Sequence, residues 1–208
     1  MAEATMSRLA LAALELNAYG AAPVGDVIDA GCDRAVISRM PGWDIVSILG
    51  TRNLEGWLSD FHILKASLHD HPDFGPMEAG FADGAEALWT ALRPMLGRKP
   101  LIVQGHSRGA SLKTIIAAMA LRDEFTLAHC IGYEEPWTVG TTCRDILLAA
   151  NIPGDTYWNG NDPVPDAPAE GWLVPNVWPI ARVGQPRIIG VECHFMARVA
   201  TALWQAPA

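Results

Sequence analysis

LIVQGHSRGASLKTIIAAMAL, Leu101 to Leu121, is the stretch on which the reading of the fold turns. Leu101 to Gln104 is a short apolar run with strand character, and an apolar-periodic segment from about Arg108 to Leu121 has helix character. Between them, Gly105 and Gly109 stand two residues either side of Ser107. Glycines there remove side chains where strand and helix would otherwise collide. That permits a sharp turn which holds the serine in a strained conformation with its oxygen exposed. The hydroxyl then sits at the N-terminus of the next helix, whose partial positive charge and unpaired N–H groups suit a developing oxyanion. G-x-S-x-G at a strand-to-helix junction is a nucleophile elbow. The competing reading is a plain turn carrying an unreactive serine.

Outward from the elbow, strands alternate with helices. Ala35 to Ser38 and Trp43 to Leu49 read as strands separated by the turn Pro41-Gly42. Arg52 to Phe61 carries Leu54, Trp57, Leu58 and Phe61 at helical spacing, a single apolar stripe on a short helix. Phe61 to Leu68 reads as a further strand, HDHPDFGP as a loop, and Gly80 to Leu96 as a helix. Past the elbow come a strand at Leu127 to Tyr133, a helix at Thr142 to Ala150 and a strand at Thr156 to Asn159. The Pro- and Trp-rich run from Pro163 to Pro186 reads as irregular loop, Arg187 to Val191 as a last strand and His194 to Leu203 as a closing helix. Met6, Leu9, Ala13 and Leu16 fall at helical spacing, which predicts a packed first helix. This alternation predicts an α/β fold: one central, mostly parallel sheet flanked by helices, in one domain over residues 1–208.

Composition agrees. Half of the 208 residues are hydrophobic and 18% are charged, which is globular. The net charge of −8 argues against nucleic acid, which needs a basic footprint, and against electrostatic docking on anionic membranes. Cys32, Cys130, Cys143 and Cys193 form no C-x-x-C pair and read mostly as buried reduced thiols. Glu3 and Glu15 spoil the resemblance of the N-terminus to a secretory leader, so the expected location is cytoplasmic.

A serine needs a histidine to take its proton and a carboxylate to orient that histidine. After Ser107 only His129 and His194 remain. His129 lies within an expected buried strand and reads as a satisfied core histidine. His194 lies between the last expected strand and helix, where a side chain can reach the sheet edge. Asp162 follows a strand in NGNDPVP, where Pro163 would fix it in extended conformation. Asp155 and Asp166 are its rivals.

Several segments resemble the class 3 lipases, the fungal-type triacylglycerol lipase group of the α/β hydrolases. These are ILGTRNLEGWLSDF, MEAGF, GHSRGA, the intact D-P-V-P of Asp162 to Pro165, and CHFM, all in the family's order. The resemblance implies an α/β-hydrolase fold and a carboxylic-ester hydrolase without cofactor or metal. Ser107 would be the nucleophile, Asp162 the orienter and His194 the general base. It also implies an oxyanion hole from the amides of Thr51 and Arg108. Leu54, Trp57, Leu58 and Phe61 would map onto a short lid helix that opens onto a lipid or other ester substrate, with transient contact at a lipid interface. The same acyl-serine would serve transfer to an alcohol, or hydrolysis of a phospholipid or cell-envelope ester. A hydrolase fold without catalysis would serve binding alone.

The chain departs from the family pattern at Leu49 and Glu78, and at Arg108, a cation at a helix N-terminus. A salt-bridge partner is favoured for Arg108, with Glu134 and Glu135 as candidates; the alternative is a guanidinium that faces the pocket and meets a substrate carboxylate. Elsewhere, His69-Asp70-His71 with Asp73 resembles a metal cluster, but adjacent loop residues rarely converge on one ion. Trp137, Trp158, Trp172 and Trp178 are expected mostly to pack, near the pocket mouth.

Overall fold

The computed structural model describes residues 6–51, 64–167, 170–184 and 194–206. Leu54, Trp57, Leu58 and Phe61, Cys193 and the expected strand Arg187 to Val191 lie outside the described residues.

A seven-stranded sheet organises the chain. Its strands are β1 (Asp26–Ala30), β2 (Asp33–Met40), β3 (Trp43–Ile48), β6 (Leu101–His106), β7 (Leu127–Tyr133), β8 (Gly154–Asn159) and β9 (Ile180–Val183), in the spatial order β1-β2-β3-β6-β7-β8-β9. β1, β2 and β3 pair antiparallel, and β3, β6, β7, β8 and β9 pair parallel. β4 (Lys65–Ala66) and β5 (Met77–Glu78) form a separate two-stranded ribbon.

The central strands are buried on both faces, and successive residues serve opposite layers. Val46, Ile48, Leu101, Val103 and Cys130 face one core together with α2 (Ala79–Leu92), α3 (Arg108–Arg122) and α4 (Thr141–Ala149). Ile45, Ile102, Ile131 and Tyr133 face the other, with α1 (Arg8–Ala18) and α5 (Met196–Gln205). β3, β6, β7 and β8 run parallel in near register, with Ile48 opposite Gly105, His106 opposite Tyr133 and Tyr133 opposite Tyr157. Their C-terminal ends therefore share one edge, where open α/β sheets bind ligands.

Some expectations need correction. The buried face of α1 is Leu11, Ala12, Glu15 and Ala18, whereas Ala13 is exposed and Leu16 is 39% exposed. An apolar count missed this phase because the face contains a glutamate and two alanines. β1 and β9 were not expected. Both are edge strands, DVIDA and IARV, mostly solvent-facing and so without an apolar pattern. The described part of the strand expected at Phe61 to Leu68 is only the two residues of β4.

Candidate active site

Ser107 sits between β6 and α3 with φ 56° and ψ −125°, a left-handed conformation rare outside glycine. The two flanking glycines make the bend possible. A Cβ at Gly105 would strike the backbone of Gly109, and one at Gly109 would strike the carbonyl of Ile48. The Ser107 N–H donates to the Tyr133 carbonyl at 2.8 Å, which ties the bend to the end of β7. The adjoining Gly50-Thr51 segment comes from the end of β3. A Cβ at Gly50 would lie 3.0 Å from the Ser107 Cβ, so this segment packs directly on the stem of the Ser107 side chain. Arg108 opens α3, in the first turn where helix N–H groups have no intrahelical partner.

Asp162 follows β8. Its Oδ1 accepts the Val164 N–H at 3.0 Å across Pro163, which pins the carboxylate. Its Oδ2 bonds to Nδ1 of His194 at 2.5 Å, and both side chains are buried. Burial is the largest single effect on the Asp162 carboxyl and opposes ionisation. The bonds from His194 and the Val164 N–H, with the nearby Glu134 side chain and the imidazole's charge, outweigh it and hold the carboxyl below its usual range. His194 Nε2 and Ser107 Oγ are both buried and have no hydrogen-bond partner among the described residues.

Sequence reasoning missed a second layer. The ring of His106 lies 4.9 Å from that of His194, and its Nε2 donates to the His194 carbonyl at 2.5 Å. That carbonyl can only accept, so the proton of His106 is on Nε2 and its Nδ1 is an acceptor. The Tyr19 hydroxyl therefore donates to Nδ1 at 2.9 Å, while its oxygen accepts the Gly50 N–H at 2.6 Å. Burial, then the nearby His194, push the His106 imidazole down to about 3, so it is neutral. One chain of bonds thus joins the Gly50-Thr51 loop to the backbone of His194. The available signal was strand alternation, which puts Ile102, Gln104 and His106 of β6 on one face.

Arg108 is paired, but not with Glu134 or Glu135. Its Nε and Nη2 donate to the two carboxylate oxygens of Asp33 on β2 at 2.7 and 2.9 Å, and Nη2 also donates to the Gly80 carbonyl at 2.9 Å. The guanidinium also lies 5.6 Å from the ring centroid of Phe81. The side chain is thus folded back onto β2 and α2. Glu78, one of the departures from the family pattern, caps α2 by accepting the Phe81 N–H at 2.9 Å. Asp155, a rival to Asp162, bonds the ring of His129 at 2.9 Å, and that histidine is partly exposed rather than in the core. Asp166, the other rival, is exposed.

Glu134, Asp162 and His194 form the one group among the described residues whose ligand atoms converge enough to consider a metal, all within 4.8 Å of one another. Two donors at ~2.1 Å from one tetrahedral ion stand ~3.4 Å apart. The 2.5 Å separation of Nδ1 and Oδ2 is that of a direct hydrogen bond, too short for two ligands of one ion. His69 bonds its neighbour Asp70 at 2.9 Å, and His69, Asp70, His71 and Asp73 are not among the residues whose ligand atoms converge. Trp178 is buried with its N–H on the Ile152 carbonyl at 3.0 Å, and Trp158 is buried beneath Arg182, so both pack.

The family model for lipase (class 3) matches residues 45–172, more than half of the chain. The chain belongs to the class 3 lipases. This class 3 lipase is accordingly a carboxylic-ester hydrolase of the lipase and esterase type. Its fold is that of the fungal lipases. The triacylglyceride lipase of Rhizomucor miehei superposes with a TM-score of 0.68 at 16% identity, over 88% of this chain and 83% of that one. The lipase of Rhizopus microsporus var. chinensis superposes with a TM-score of 0.69 at 15% identity, over 89% and 77%. Lipase II of Rhizopus niveus gives 0.61 at 17% identity, over 82% and 74%. No curated protein sequence matches this lipase.

Proposed function

We propose that this lipase hydrolyses lipid esters through an acyl-enzyme on Ser107. His194 Nε2 takes the Ser107 proton as Oγ attacks the ester carbonyl. Asp162 holds the imidazole in the required tautomer and stabilises the imidazolium. The tetrahedral oxyanion rests on the amides of Thr51 and Arg108. The carbon–oxygen bond to the alcohol then breaks, and the alkoxide leaves with the proton from His194. A water attacks the acyl-serine after giving its proton to His194. The acid departs, and Ser107 recovers its proton.

The observation that carries this reading is one pair of buried side chains. His194 is tied through Nδ1 to Asp162 at 2.5 Å, and its other nitrogen is left without a partner among the described residues, as is the serine oxygen at the elbow. An unpartnered buried polar atom is costly, so two such atoms, on the serine of the elbow and on the histidine bonded to Asp162, are most simply groups reserved for each other and for substrate. Arg108 supports the reading in a second way. Its side chain is committed to Asp33, which leaves its backbone amide as its contribution to the site.

Ser107→Ala tests it. The variant is expected to fold with an unchanged thermal midpoint and to lose about 10³–10⁶-fold in kcat on p-nitrophenyl esters. A fluorophosphonate probe should label the wild-type protein only at Ser107. Wild-type turnover in Ser107→Ala would end the proposal. An ester series of increasing acyl length, assayed below and above substrate solubility, separates an esterase from a lipase that contacts a lipid interface. Added alcohol would reveal acyl transfer.

A further inference from the structure

Glu134, at the end of β7, is absent from the chemistry above and is hard to explain by packing. It is fully buried, and its backbone has φ 53°, a conformation that L side chains rarely adopt and that surrounding structure must hold. Two bonds hold it. Its N–H donates to the Tyr157 carbonyl at 2.9 Å, and its Oε1 accepts the Asn159 N–H at 2.6 Å. The bend carries the carboxyl inward, beside Asp162 and His194, with one polar atom of each within 4.8 Å of the others.

Two buried carboxyl groups this close do not both ionise. Asp162 has the stronger claim on the charge, because it receives the imidazole N–H of His194 and the Val164 N–H and faces the imidazolium formed in each turnover. The proton then belongs to Glu134, whose carboxyl lies beside Asp162 with one polar atom of each within 4.8 Å. We propose that Glu134 is a positioning residue: a buried neutral acid that donates a hydrogen bond to the Asp162 carboxylate and so sets how firmly Asp162 holds the His194 imidazole. The proposal rests on the reading of Ser107, Asp162 and His194 given above.

Other charged groups nearby are already engaged. His106 of β6 lies behind His194 and is neutral. Glu135 pairs with Lys113 of α3 at 2.9 Å, and Arg182 of β9 reaches the Gly160 carbonyl at 3.4 Å.

The test follows the His194 ring by NMR titration in a Ser107→Ala background, and the acid limb of kcat/KM in active enzyme. Glu134→Gln exchanges one neutral donor for another. Its ring titration should stay within about 0.3 pH unit of the parent, and kcat within about threefold. Glu134→Leu removes the donor and concentrates charge on Asp162. The ring titration and the acid limb should then move up by about 0.5 pH unit or more, with kcat about tenfold lower and KM unchanged. If Leu does not fold, Glu134→Gly adopts the same φ without strain and should move both readouts in the same direction. A shift of about one unit to lower pH in Glu134→Gln would overturn the proposal, because it would mean that a carboxylate charge had been removed. No change in Glu134→Leu or Glu134→Gly would also overturn it. So would activity lost on dialysis against EDTA and restored by a divalent cation, since the cluster would then hold an ion. If the wild-type protein hydrolyses no ester, the functional reading fails, and the NMR titration still decides the role of Glu134.

Discussion

Two bends stand side by side at the ends of adjacent parallel strands. β6 runs directly into Ser107 with φ 56°, and β7 directly into Glu134 with φ 53°. Neither residue is glycine and both are buried, yet the bends are built differently. The first is cleared by glycines on both sides, so that one hydroxyl stands alone at a helix N-terminus. The second has Gly132 two residues before it and Pro136 two residues after. A Cβ on Gly132 would strike the carboxylate of Glu135. That space lets two adjacent glutamates part company. Glu135 turns under α3 to Lys113 and Thr114, and Glu134 turns toward Asp162. The first bend leaves a buried hydroxyl without a partner among the described residues. The second divides neighbouring carboxyl groups between the core and the site.

The comparison breaks first at its catalytic side. Asp162→Asn keeps the shape of the turn but offers the imidazole a donor or a weak acceptor, so the wrong tautomer is favoured. The expected loss is about 10³–10⁴-fold in kcat, with an unchanged far-UV spectrum. Fluorophosphonate labelling of Ser107 should slow by a similar factor. A loss under tenfold would detach Asp162 from the chemistry and leave the elbow to act without it.

Glu135→Ala probes the other branch of the second bend. Lys113 is fully buried, bonded to Glu135 at 2.9 Å and 4.2 Å from the ring centroid of Trp178. Removing the carboxylate strands an ammonium in the core, at a cost of about 3–5 kcal/mol in a denaturant melt. The turnover of the protein that remains folded should not change. The neighbouring Glu134→Leu is expected to do the reverse, slowing kcat more than it lowers stability. If both substitutions moved the same quantity, the division of labour between the two glutamates would be wrong.

The difference between the bends also explains what was legible in the sequence. Ser107 could be read because glycines at fixed offsets record the steric need directly. Asp162 could be read because Pro163 restrains the chain beside it, and His194 because it lies between the last expected strand and helix. Glu134 carried no such record, since its strained backbone is held by partners on β8. Arg108 shows the same limit. Its expected partners were glutamates 26 and 27 positions along the chain. Its actual partner is Asp33, 75 positions away, because β2 lies one strand beyond β3 in the sheet. Periodicity gives elements and their faces, but an ion pair depends on strand order. Tyr19 and His106 were missed for a related reason. Each looks ordinary alone, and their role appears only when α1 crosses the sheet beneath the elbow.

The smallest expected effect concerns the glutamate behind the first bend. Glu15 of α1 is fully buried near Ser47 and the backbone of His106, as Glu134 is buried behind Asp162. Burial raises the Glu15 carboxyl well above its usual range and outweighs the lowering influence of the nearby Ser47 side chain and His106 backbone. The native protein therefore keeps a proton that the unfolded chain releases near the ordinary value of 4.5. Above that pH the native state binds more protons than the unfolded state, so stability falls as pH rises. Glu15→Gln removes the penalty. It should raise Tm by about 2–4 °C at pH 8, or about 1 kcal/mol, and by little at pH 4. An equal gain at both pH values would show that Glu15 does not carry the proton. Burial alone suffices to keep a carboxyl neutral beneath Ser107, whereas at Glu134 the ionised neighbour Asp162 gives that proton a use.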